Sequence, residues 1–148
     1  QHFVDDGFRA FFGAPVTYED HPRRAVLAAL SLQERLRQRR DDAASLPSGA
    51  VRMGLHTGQV IVSPIGDDRR QVILGLGDTT QVAEQLLHQA EAGAIVLSEV
   101  TGRAVQRFVR LQRIGPVHVQ GTTMPNTAYN LLAPLPQPAL AWQGRRVL

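Results

Sequence analysis

Leu76-Gly77-Asp78-Thr79-Thr80-Gln81-Val82-Ala83 is the stretch on which the fold turns, because it joins a strand to a helix within a few residues. Residues 71–75 read as a strand, Gly77 opens a loop, and Asp78 or Thr79 is placed to cap the helix that follows. Val82, Leu86 and Ala90 form its apolar stripe, and Gly93 supplies the stop. Gln81 and Gln85 share a different face, with His88 one turn further along. The helix therefore has one side for a core and one side that is polar throughout.

Working outward, residues 94–97 read as a short buried strand, and Ser98 caps a short helix to about Gln106. Residues 108–114, 117–120 and 127–132 are three further strand candidates. Upstream, residues 51–55 and 59–63 are two strand patterns joined through His56-Thr57-Gly58, for which a hairpin is expected. Asp20 and Pro22 mark the start of a long helix to about Arg40, with Ala25, Val26, Ala29, Leu30, Leu32 and Leu36 on its apolar side. The opening residues read as a strand, a tight turn at Asp6-Gly7 and a second strand on which alternation puts Phe8 and Phe12 on one core-facing side. This order of strands and helices predicts an α+β fold. From Ala133 the chain is proline-rich and reads as a linker leaving a domain of residues 1–132, residues 133–148 forming the exit segment.

With 148 residues and 43% hydrophobic content, the chain suits one folded domain. All 16 basic residues are arginine, which excludes Schiff-base chemistry, a lysine general base and a lysine-bearing phosphate loop. The absence of cysteine excludes disulfides, thiolate nucleophiles and cysteine-ligated zinc. A pI near 10.5 suggests nucleic acid, yet the net charge is only +3. With no lysine or cysteine little titrates between neutrality and pH 10, so a small excess of cations moves the pI far up. The densest arginine run, 35–40, lies at a helix C-terminus, where cations suit the macrodipole, so nucleic acid is not the expected partner. No apolar run has membrane-spanning length and the first residues do not read as a signal peptide, which leads us to expect a cytoplasmic domain.

Three segments together carry a resemblance: Asp5-Asp6-Gly7-Phe8-Arg9-Ala10-Phe11-Phe12-Gly13, Arg52-Met53-Gly54-Leu55-His56-Thr57-Gly58 and the Leu76 to Ala83 stretch. In order and spacing they resemble the catalytic domain of bacterial-type class III adenylate/guanylate cyclases. Glu19-Asp20-His21-Pro22-Arg23-Arg24 and Glu91-Ala92-Gly93-Ala94-Ile95-Val96-Leu97-Ser98 extend the similarity. The resemblance implies a ferredoxin-like, palm-type βαββαβ fold with an antiparallel-rich sheet, whose first strand and first two helices would lie upstream of Gln1. It also implies attack of a nucleotide ribose 3′ hydroxyl on its own α-phosphate, from ATP or GTP, with Mg²⁺ or Mn²⁺ on two carboxylates. The family builds its sites at a dimer interface, so the implied partners are a second cyclase domain, as homodimer or heterodimer, and further domains of a longer protein.

Set on the family pattern, Asp6 falls at the second metal-binding aspartate, although the sequence Asp-Gly is also a common hairpin turn. Asp5 stands where glycine is usual, and the first metal aspartate would precede Gln1. Gln81 occupies the place of an asparagine that orients the ribose, and Gln85 that of an arginine that binds phosphate; an exposed polar helix face reads equally well. Gln120, in Val117-His118-Val119-Gln120-Gly121, stands where a lysine grips the triphosphate, and Leu74 stands at a base-selecting position. His56 reads as structural.

These substitutions favour a non-catalytic cyclase-homology module, dimerising or regulatory. The alternative is an active domain completed by upstream sequence or by an intact partner chain. A third reading, an RNA-binding sheet with Phe8, Phe11 and Phe12 as stacking platforms, is disfavoured by the expected burial of Phe8 and Phe12.

Overall fold

The computed structural model describes residues 2–4, 7–14, 16–42, 51–61, 78–119, 121 and 126–136. Along the chain, β1 (His2–Val4) and β2 (Gly7–Arg9) are followed by α1 (His21–Asp42), β3 (Met53–Leu55), α2 (Asp78–Gln89), β4 (Ile95–Ser98), α3 (Glu99–Val105), β5 (Val109–Val117) and β6 (Asn126–Pro134). The main sheet has the order β3-β4-β6-β5, with β3 and β4 parallel and the other two pairs antiparallel. This is the α+β architecture expected from the order of elements.

The continuous run Ile95-Val96-Leu97-Ser98 is buried at every position because both faces of β4 are covered. Ile95 and Leu97 enter one core cluster with Val26 and Ala29 of α1, Val105 of α3, Val109 and Leu131. Val96 points the other way, into a second cluster with Leu86 of α2, Ala90, Val117 and Ala128. A strand buried on both faces needs no polar alternation. Each such side chain contributes on the order of 1.5–3 kcal/mol of burial.

Local signals act largely as the sequence suggests. Ser98, with extended φ and ψ, accepts the Thr101 amide and caps α3, and Gly93 adopts φ 80° after α2. On α2, Leu86 and Ala90 are buried and Val82 is packed against them. Asp78 and Thr79 are both already helical, so neither is the residue that precedes the helix. At the start of α1, Arg24 Nε lies 3.0 Å from the Asp20 carboxylate, and this bond holds the Asp20 carboxyl below its usual range.

Several expectations change. Gly7 is a strand residue paired with Val4, so it closes the turn and is not one of its two central residues; Asp5 and Asp6, between the two strands, lie outside the described residues. Phe8 and Phe12 are 51% and 40% exposed rather than core, because the hairpin forms a separate two-stranded sheet and β2 ends at Arg9, before Phe12. Residues 53–55 find their partner in β4, far downstream and parallel, as a helical crossover permits. That pairing uses one edge of β3; of the expected hairpin arm, residues 62–63 lie outside the described residues, so the hairpin is not among the expectations that change. Finally, Gly115-Pro116 does not end a strand: β5 runs through it with a register shift between Ile114 and Val117. At the described sheet's edge, a proline without an amide hydrogen breaks no ladder that a further strand would need. The last strand likewise continues through Ala133 and Pro134, paired with Arg110 and Val109.

Candidate functional site

Helix α2 is amphipathic in a way that builds a site on one side. Residues 81, 84, 85, 88 and 89 recur at helical spacing, and Gln81, Glu84, Gln85, His88 and Gln89 line a groove of about 600 Å³ completed by His118. The sequence reading placed Gln81, Gln85 and His88 on one face, and the structure brings these three together. Glu84 and Gln89 were missed, although the same periodicity points to them.

Several anchors hold this helix. Beneath it, Gly54 of β3 lies so close that an added Cβ would come within 2.3 Å of the Ala83 carbonyl oxygen and 2.5 Å of the Leu87 nitrogen. At its start, the Thr79 hydroxyl donates to the Gln59 carbonyl at 2.6 Å, and a Cβ on Gly58 would meet that hydroxyl at 2.5 Å. At its end, Gln89 Nε2 donates to the His118 carbonyl at 3.1 Å, tying α2 to the segment after β5. On its polar face, Arg9 Nη2 of β2 lies 3.3 Å from Glu84 Oε2, which joins the N-terminal hairpin to the groove. No sequence signal links Arg9 to Glu84.

His56 belongs to a different network. Its Nδ1 lies 2.8 Å from Ser98 Oγ, which is 3.1 Å from Thr101 Oγ1, itself 2.9 Å from Thr57 Oγ1. The chain of hydroxyls locks the end of β3 to the cap of α3, in keeping with the structural role read from the sequence. Burial lowers the His56 pKa, favouring the neutral ring, whose tautomer sets which partner of the Nδ1–Ser98 Oγ contact donates. The unfolded chain therefore takes up this proton more readily than the folded one, and the stability it supplies above the ordinary histidine pKa is lost as pH falls through the lowered one. In thermal melts between pH 7 and 5, the wild type is expected to lose more stability than His56→Asn; parallel curves would refute this.

Of the other candidate positions, Asp6, Leu74 and Gln120 lie outside the described residues. Among the described residues no three His, Asp or Glu side chains gather as metal ligands. The carboxylate lining the groove, Glu84, is engaged by Arg9. The position at which the resemblance places a metal ligand, Asp6, lies outside the described residues. Among the described residues, no helix is long and apolar enough to cross a membrane.

Comparison with known proteins agrees with this fold. Residues 3–133 match the family described as the adenylate and guanylate cyclase catalytic domain. Adenylate cyclase 1 of Rhizobium meliloti (strain 1021) is 26% identical over 134 residues, which cover 88% of this chain and 20% of that protein. The chain thus spans about a fifth of the length of the curated relatives it matches. Among solved structures, the adenylyl cyclase CyaB from P. aeruginosa superposes with a TM-score of 0.70 at 24% identity, covering 82% of this chain and 64% of that one. The guanylate cyclase domain of RhGC from Catenaria anguillulae, in complex with GTP, gives 0.67 at 26% identity, covering 84% and 66%. With the parallel β3–α2–β4 unit, the motif order and a family match over most of its length, the chain belongs to the adenylate and guanylate cyclase catalytic domain family.

Proposed function

We propose that this chain is a cyclase-homology module that accepts ATP or GTP weakly at the α2 groove and serves as a regulatory, dimerising unit rather than as a cyclase. The observation that supports this reading is that neutral Gln81 and Gln85 line the groove, at the places where the sequence resemblance puts an asparagine and an arginine. A neutral amide in place of a guanidinium removes a charge-assisted bond to phosphate, worth roughly 1.5–3 kcal/mol. In a homodimer every site would carry both glutamines, so only a heterodimer with an intact partner would complete one site. We place the module in the cytoplasm, beside other domains of a longer protein.

The deciding experiment is a cyclase assay with ATP and with GTP, in Mg²⁺ and in Mn²⁺, alongside calorimetric nucleotide binding. The expected result is weak binding without cyclic nucleotide above background. Turnover that disappears in Asp6→Ala would establish instead an active domain that uses Asp6 as a metal ligand.

A further inference from the structure

The one described carboxylate of the groove is paired with an arginine from a distant element. The groove's described lining has amides on Gln81, Gln85 and Gln89, imidazoles on His88 and His118, and one carboxylate, Glu84. Amides and imidazoles donate to anion oxygens, whereas a carboxylate repels them. The guanidinium that faces Glu84 belongs to Arg9, 75 residues away in sequence, on the hairpin. The contact is a single 3.3 Å pairing, with the two side chains 37% and 43% exposed, and neither has another ion-pair partner among the described residues. An exposed pairing of this kind is weak and yields readily to a stronger partner. A phosphoryl group is such a partner, because its oxygens match the fork of donors on arginine.

We infer that Arg9 is the cation of this groove and Glu84 its internal competitor: the phosphoryl oxygens of an entering polyphosphate take the guanidinium over from the carboxylate. Binding and the ion pair then exclude each other, and occupancy of the groove releases the contact between hairpin and α2. The inference rests on the reading of this groove as a nucleotide-binding face, and assigns it a residue and a form of regulation that the family positions do not include.

The test is calorimetric titration of the full chain with inorganic tripolyphosphate, and separately with ATP, which tells a bare polyphosphate site from one that also uses the nucleoside. Glu84→Gln is expected to tighten tripolyphosphate binding by about three- to fivefold, the scale of an exposed ion pair. Arg9→Gln is expected to weaken it by about tenfold, and Arg9→Lys to restore part of the loss. The decisive arm is Arg9→Gln/Glu84→Gln, in which the gain from Glu84→Gln should be smaller than it is beside Arg9, because only the repulsion by the carboxylate is then removed. A gain from Glu84→Gln that is undiminished without Arg9 would be simple removal of a negative charge, and would overturn the exchange. So would unchanged affinity in Glu84→Gln, or no binding by any variant whose circular dichroism matches the wild type. Cyclic nucleotide is measured in the same samples: turnover would remove the non-catalytic reading and leave the exchange standing, while loss of the Arg9 dependence would do the reverse.

Discussion

Gly54→Ala is expected to destabilise the domain by about 2–4 kcal/mol, a fall in Tm on the order of 10 °C, and to loosen the groove as well. The added methyl would meet main chain rather than a movable side-chain tip: the Ala83 carbonyl oxygen at 2.3 Å, the Leu87 nitrogen at 2.5 Å and the Leu87 Cα at 3.1 Å. No rotamer change relieves that, so α2 must shift away from β3 or the strand must bend. Either movement displaces Gln81, Glu84 and Gln85, which occupy the other side of the same helix. Gly115→Ala is the internal control, since a Cβ there has nothing within 4 Å. A surface change of that kind stays within roughly 0.5 kcal/mol. Melts of the two variants side by side decide the matter, and a Gly54→Ala melt that coincides with the control would show that the β3–α2 approach is looser than described.

Gln85→Arg is expected to raise affinity for ATP or GTP by about tenfold, the lower end of what a charge-assisted bond to phosphate contributes, because the groove is open to water. The position is half-buried and faces the groove with Gln81 and His88, so a longer cationic side chain reaches the same space. The gain should shrink in high salt, as screening weakens an attraction that is largely coulombic. It should not bring turnover by itself, since Gln81 and Gln120 remain. Calorimetry at low and high ionic strength is the check, and an unchanged affinity in a folded variant would mean that phosphate does not meet this face of α2.

Much of this site was legible in sequence because it depends on local periodicity. The spacing of Gln81, Gln85 and His88 fixes which residues share a face, and Val82, Leu86 and Ala90 fix which face turns inward. Ser98 and Gly93 were readable for the same reason: a cap is a matter between residues three or four apart. Gly54, by contrast, looked like an ordinary glycine in a strand pattern, and only the passage of α2 above it shows why a side chain is excluded. Asp78 and Thr79 looked like caps, yet Thr79 turns its hydroxyl to Gln59, on a loop brought there by the β3–α2 packing.

The sequence by itself determined the kind of fold, the polar and apolar sides of α2, and, through its lack of lysine, that any cation in the groove must be arginine or histidine. Those properties are set by residue type and by helical or strand periods, both of which act over a few positions. The parallel pairing of β3 with β4, the passage of β5 through Pro116 and the exposure of Phe8 came from long-range packing instead. The same packing sets which arginine meets Glu84. Arg9 and Glu84 meet because a hairpin and a helix far apart in the chain pack together, and no local pattern encodes a contact whose entropy of closure is offset only by the rest of the fold.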